Sequence, residues 1–194
     1  MHESLIKYIN GFTTTPLTDS EMELIKNTFV SKNLRKGQYF LKEGEVCKYF
    51  AFIVKGAMRQ YSVDDKGVEH IVNLLIENWW AGDRESFIML TPSVYNVDAW
   101  EDTEALIFTR AELLILLSLS PSIVEWIRKL DERHSIANQR RLNASISLST
   151  EERYSDFANN YPDFFQRFPL HMIASYLGVT KETISRIRRQ LVNK

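Results

Sequence analysis

A single cysteine, Cys47, is the first constraint on this chain of 194 residues. It permits no internal disulfide, and it cannot supply the four thiolates of a conventional iron–sulfur cluster. Long apolar runs are missing too. None reaches the ~20 residues that a membrane-spanning helix needs, so no membrane partner is expected. The N-terminus, MHESLIKYINGF, lacks the basic start and long apolar core of a secretory signal. A cytoplasmic protein is expected. Metal and catalytic patterns are also wanting. His2, His70, His134 and His171 are scattered, with no H-x-H pair, and no Ser/His/Asp or Cys/His arrangement stands out. Neither an enzyme nor a metal site is expected. What remains is ordinary: 44% hydrophobic residues, 25% charged residues and a formal charge of −1. That composition suits a soluble globular chain of one or two domains.

The most informative stretch lies at the end, PLHMIASYLGVTKETISRIRRQL, from Pro169 to Leu191. Leu170, Ile173, Ala174 and Leu177 fall three or four apart and share one helical face. Gly178 suits the left-handed turn that ends a helix. Thr180 can cap a second helix, in which Ile184, Ile187 and Leu191 share a face. Lys181, Glu182, Ser185, Arg186 and Arg189 point elsewhere. Two short helices joined by such a turn can pack steeply, and the second then fits a DNA major groove. Charge supports this reading over an ordinary pair of surface helices. From Arg167 onward there are six Lys/Arg and one Asp/Glu, whereas the whole chain is slightly acidic. A basic tip on an acidic body is an electrostatic footprint for phosphate.

The run from Ile173 to Arg186 resembles the DNA-binding signature of the Crp/Fnr transcription regulators, I-A-x-x-L-G-(V/T)-(S/T)-R-E-T-(V/I)-S-R. The resemblance implies that Lys181, Glu182 and Arg186 read base edges. Thr180, Thr183, Ser185 and Arg189 are the candidates for phosphate contacts, which position the protein without specifying sequence. Lys181 stands where an Arg is commoner, which loses the bidentate fork. With Cys47 alone, the oxygen-sensing cluster of some family members is not expected. A homodimer on double-stranded DNA is implied, with RNA polymerase as a further partner.

The chain before this motif fits the resemblance. Residues 4–30 read as helical, broken at Pro16, with a Thr18/Glu21 capping box. From Asn33 to about Phe108 the texture is strands and turns. Ala57 to Val63, the polar turn Asp64–Gly67 and Glu69 to Ile76 form one expected hairpin. Short strands at this spacing suggest a sandwich or barrel; the resemblance narrows this to a β-roll sensor.

In cyclic-nucleotide-binding relatives, a short helix after a Gly-Glu turn faces the cyclic phosphate and a later Arg neutralises it. Burying that anion without a cation is costly. Here the corresponding stretch is Trp79-Trp80-Ala81-Gly82-Asp83-Arg84-Glu85, and no Arg follows near Pro92–Ala99. Asp98 is expected to repel a phosphate, and Arg84 lies on the wrong side to replace the Arg. A cAMP or cGMP cofactor is therefore not expected. Trp79, Trp80, Gly82, Asp83, Arg84 and Glu85 are kept as a candidate pocket for another small-molecule effector. The aromatic residues Tyr49, Phe50, Phe52, Trp79, Trp80, Phe87 and Trp100 either line such a cavity or are core.

After Phe108 a short helix runs from Leu113 to Leu119, and Pro121 opens a long one. Ile123, Ile127, Leu130, His134 and Ala137 follow heptad spacing, continued by Arg141 and Ala144. The resemblance makes this the dimer helix. A capping box at Ser149/Glu152 starts the last domain, in which Tyr154, Phe157, Ala158 and Tyr161 share a face and Phe164, Phe165 and Phe168 pack beneath the reading helices. Three residues follow Leu191, too few for a β-hairpin wing, so a trimmed, mostly helical domain is expected.

The expected fold class is α+β. An antiparallel β-roll (double-stranded β-helix) sensor spans residues 1–119, a dimerisation helix and hinge spans 120–147, and a helix-turn-helix domain spans 148–194. The expected function is transcription regulation by a dimer that inserts the helix Lys181–Leu191 into the major groove. Two alternatives stay open: a regulator that does respond to a cyclic nucleotide, and a cupin-like enzyme.

Overall fold

The computed structural model describes the backbone of residues 1–192 and the side chains of residues 1–190. The elements are α1 (His2–Asn10), α2 (Asp19–Thr28), β1 (Val30–Leu34), β2 (Tyr39–Leu41), β3 (Tyr49–Lys55), β4 (Met58–Val63), β5 (Glu69–Leu75), β6 (Trp80–Ala81), α3 (Arg84–Met89), β7 (Asn96–Ala99) and β8 (Thr103–Thr109). They continue as α4 (Arg110–Leu119), α5 (Pro121–Ser147), α6 (Thr150–Asn160), α7 (Phe164–Arg167), α8 (Leu170–Tyr176) and α9 (Lys181–Val192). None of the helices is long and apolar enough to cross a membrane, among the described residues.

The strands form two open four-stranded sheets, ordered β1-β8-β3-β6 and β2-β7-β4-β5. This is the antiparallel roll expected from the sequence, without closure into a barrel. The hairpin turn forms as its residues dictate. Asp64 Oδ1 accepts from the amides of Lys66 and Val68, and Gly67 takes the left-handed φ of +78°. One boundary differs from expectation. β1 begins at Val30 rather than Asn33, pairing residue for residue with β8 from Val30↔Ile107 to Leu34↔Thr103. Four of its five side chains are exposed, so backbone pairing builds this edge strand and no apolar alternation announces it.

The chain divides into two compact units, residues 1–62 with 73–133, and residues 63–72 with 134–194. The division falls inside α5 and assigns the β4–β5 turn to the second unit. In the first unit, the core joins helices to sheet: Leu5, Ile9, Ile25, Phe29, Phe52, Leu106, Leu116, Ile123 and Trp126 are all essentially inaccessible to solvent. Trp80 is its hub, with ring centres 5.0 Å from Phe52, 5.5 Å from Trp126 and 5.9 Å from Phe108. Reciprocal capping boxes start α2 at Thr18/Glu21 and α4 at Thr109/Glu112.

The second unit has its own core. Tyr154, Ala174, Ile184 and Ile187 are buried together, with Ala158, Phe165, Leu170, Leu177 and Val179 packed against them. The expected capping box at Ser149/Glu152 is present. Phe164 and Phe168 are buried, in and just after the short helix α7. Every described element from Thr150 onward is helical. Leu191, expected on the buried face of α9, has a side chain outside those described.

Candidate nucleic-acid interface and sensor cassette

α8 ends in a Schellman turn. The Gly178 N–H donates to the Ser175 carbonyl and the Val179 N–H to the Ala174 carbonyl, both at 3.0 Å, while Gly178 holds φ +70°. Thr180 then caps α9, its hydroxyl accepting from the Thr183 N–H at 3.3 Å. These local bonds fix how the two helices meet. Ile184 and Ile187 turn into the core. Lys181, Glu182, Arg186 and Arg189 are exposed, with Thr183 and Ser185 half-buried and Thr180 exposed at the helix start. At 3.6 residues per turn, Lys181, Ser185, Arg189, Glu182 and Arg186 fall within an arc of roughly 140°. The structure thus brings Lys181, Glu182, Ser185, Arg186 and Arg189 onto one accessible side of α9, whereas Thr183 lies outside that arc and Thr180 serves as the cap.

The cassette residues behave differently. Asp83 is buried and caps α3, its Oδ1 accepting from the amides of Glu85 at 3.0 Å and Ser86 at 3.3 Å. Its Oδ2 accepts from the Ser93 hydroxyl at 2.7 Å. Ser86 in turn donates to the Thr91 carbonyl and accepts from the Cys47 amide at 2.8 Å. The donors that an anionic ligand would need at this turn are taken by the chain's own carboxylate. Gly82 is required for packing: at φ +143°, a Cβ there would lie 2.5 Å from the Phe50 ring. Trp80 is core, Trp79 is half-buried and Glu85 is exposed. Arg84 reaches away from the cassette to Asp131 of α5, at 2.7 Å. Of the aromatics that could have lined a cavity, Phe52, Trp80 and Phe87 are core, and Tyr49 is largely exposed.

Asp98, expected to repel a phosphate, is not a bare charge. Arg59 grips it with two bonds of 2.9 Å, Nε to Oδ1 and Nη2 to Oδ2, and both side chains are nearly buried. The pair sits cross-strand, Arg59↔Asp98, on the face opposite Met58 and Ala99, which enter the core. The guanidinium also lies over the rings of Tyr61 and Trp100. Burial, the bond to Tyr39 and the Asp98 charge together push the Tyr61 hydroxyl well above its usual pKa, although Arg59 opposes them. Reasoning from sequence missed Arg59 and the Ser86 bond to the Cys47 amide, because each partner lies 39 residues away, and it missed Ser93, ten residues from Asp83 across an intervening helix.

The expected dimer seam is also partly reassigned. Ile123 and Leu130 are buried in the core of their own unit, beside Trp126, and Ile127 is half-buried against it. Heptad spacing marks an apolar stripe but does not say whether it meets a partner or the same chain. His134 and Ala137 remain exposed. Further along α5, Leu142 and Ile146 are exposed apolar side chains on one face, at 62% and 77% accessibility.

Residues 31–119 match the cyclic nucleotide-binding domain family. The chain is 26% identical over 170 residues to Electron transport regulator A of Shewanella oneidensis, covering 80% of this chain and 66% of that protein. It is 26% identical over 186 residues to the fumarate and nitrate reduction regulatory protein of Vibrio cholerae, covering 88% and 72%. Among solved structures, FixK2 from Bradyrhizobium japonicum shares the fold, with a TM-score of 0.71, 19% identity and 85% of each chain covered. Fold and matches together show a chain that is similar, over residues 31–119, to the cyclic nucleotide-binding domain family, and whose two curated relatives are regulators by name. More particularly, the solved structures that share its fold include a putative transcriptional regulator of the Crp/Fnr family from Eubacterium rectale, with a TM-score of 0.65, 17% identity, and 90% of this chain and 83% of that one covered. This chain spans about two thirds of the length of the first of the curated relatives.

Proposed function

We propose that this protein is a cytoplasmic, dimeric transcription regulator that reads double-stranded DNA with α9. The observation that carries this reading is the exposed arc of Lys181, Glu182, Ser185, Arg186 and Arg189 on a helix whose other side is packed by Ile184 and Ile187. Arg186 donates two bonds to a guanine, Glu182 accepts from a cytosine amino group, and Lys181 supplies a point charge. Thr180, Thr183, Ser185 and Arg189 hold phosphates and set the register. The partner chain is met along residues 120–147, through His134, Ala137, Leu142 and Ile146, so that two reading helices address half-sites about one helical turn apart. That spacing is the general geometry of dimeric helix-turn-helix proteins.

The effector of the sensor domain is something other than a cyclic nucleotide, since Asp83 occupies the α3 amides. Contact with RNA polymerase follows from the role of a regulator. A second reading, a cyclic-nucleotide-responsive regulator, is favoured by the family match over residues 31–119. Selection of bound fragments from genomic DNA, followed by anisotropy titrations at moderate salt, tests the main reading. The expected result is a palindromic site bound by a dimer. A monomer with no preference for any duplex would overturn it.

A further inference from the structure

Strand β5 ends the order of its sheet, so its outer backbone groups have no strand beyond them. Two side chains from helices of the second unit cover that edge. Ser175 of α8 accepts from the Ile71 N–H at 2.9 Å and donates to the Glu69 carbonyl at 3.4 Å. Arg141 of α5 donates to the Val72 carbonyl at 2.8 Å and to the Tyr176 carbonyl at 3.5 Å. Its guanidinium carbon lies 4.2 Å from the centre of the Tyr176 ring. Glu69, Ile71, Val72, Arg141, Ser175 and Tyr176 all belong to the second unit.

We propose that this edge is an autoinhibitory latch: Ser175 and Arg141 fasten the 63–72 segment to the first helix of the helix-turn-helix and restrain the reading helix until DNA is bound. The mechanical link is short. Tyr176 is two residues from Gly178, whose Schellman turn joins α8 to α9, so a restraint on α8 is a restraint on α9. The chemistry suits a catch that yields. The catch consists of two hydrogen bonds at each side chain, one of each pair long at 3.4–3.5 Å, and those of Arg141 are exposed, so each contributes little net free energy. Arg141 bonds neutral carbonyls and a tyrosine ring, and a phosphate oxygen makes a stronger, charge-assisted acceptor. An exposed strand edge covered by two side chains is also easier to open than one closed by a full ladder of bonds.

This inference rests on the DNA-binding reading above, and its test separates the two. Hydrogen exchange at the Ile71 amide is measured on the full chain without DNA, for the wild type, Ser175→Ala and Arg141→Gln. Duplex affinity is then measured for the same three proteins on genomic fragments selected with the wild type and with Ser175→Ala. The wild-type amide should be protected, and each variant should lose protection and bind duplex at least about fivefold more tightly, the lower end of ordinary coupling between sites. By reciprocity, saturating DNA should speed exchange at Ile71 in the wild type. An unprotected Ile71 amide in the wild type would overturn the latch. So would variants that lose protection yet bind duplex no more tightly than a DNA-binding wild type. If none of the three proteins binds any duplex, the DNA-binding reading itself is overturned, and the latch loses its role with it.

Discussion

Ser93 donates its hydroxyl proton to the Asp83 carboxylate at 2.7 Å, closing the turn that opens α3. The contact completes a set in which both Asp83 oxygens are engaged, one by two helix amides and one by a hydroxyl. A cyclic phosphate arriving here would meet a buried carboxylate in place of free donors. Addition of cAMP or cGMP in large excess should therefore leave the melting temperature unchanged. A ligand at a hundred times its Kd would stabilise the fold by about 2.7 kcal/mol, easily seen in a thermal-shift assay. A clear rise with either nucleotide would restore the cyclic-nucleotide reading.

Arg186→Ala should weaken binding to the selected site by about 1–3 kcal/mol and relax base preference at one position. The comparison that decides is with random duplex. Equal losses on both would reassign Arg186 from base edge to phosphate.

Two glycines with left-handed backbone should respond unequally to alanine. Gly82→Ala forces a methyl group to within 2.5 Å of the Phe50 ring, and the core there has no slack. It should cost about 1–3 kcal/mol beyond backbone strain, read from urea unfolding. Gly178→Ala meets open space, so only the conformational penalty of about 1–2 kcal/mol applies. Equal destabilisation would show that the Phe50 contact relaxes.

Acid should unfold the first unit through two carboxylates. Burial disfavours ionised Glu21, but hydrogen bonds from Ser120, the Thr18 amide, Ser122 and the Thr18 hydroxyl outweigh it and hold its pKa at about 2. Glu125 is held at about 2 by Lys129 and by the Thr14 hydroxyl and amide. Both folded-state values lie below the unfolded carboxyl value, so their contribution is complete above that value and is lost as pH falls through the folded one. Urea stability should therefore be level near neutrality and decline from about pH 4.5 towards 2. Glu21→Gln should flatten part of that decline; an unaltered profile would remove Glu21 from the account.

Ile146→Glu places a charge on an α5 side chain that is 77% exposed, so the protomer should fold normally. Sedimentation should nonetheless show a dimer turned into monomers, with loss of site-specific DNA binding. A variant that remains dimeric would move the partner surface elsewhere.

What could be read in the chain beforehand was local chemistry. Thr18 and Glu21, Ser149 and Glu152, and Gly178 each act within one turn of backbone, so their residue types suffice to announce them. Partnerships across the fold left no such trace. Arg59 meets Asp98 only after β4 pairs with β7, and Arg141 meets Tyr176 only when α8 packs. Asp98 was accordingly read as a bare charge near the cassette, although it is a neutralised one on the other face. Along α5, spacing marked Ile123 and Leu130 as a stripe, and only the fold reveals that this stripe covers its own sheet. β1 escaped notice up to Asn33 because an exposed edge strand needs no apolar alternation.

Cys47 has a practical consequence. Burial pushes its thiol up to about 11, although backbone hydrogen bonds from Asp83 and Tyr49 act in the opposite sense. Almost no thiolate exists near neutrality, and the sulfur is shielded from reagents. Alkylating probes should pass the native chain by and label it only when the sheet around β3 opens. The chain's sole sulfhydryl thus serves as an internal clock for unfolding, legible by mass spectrometry without any engineered tag.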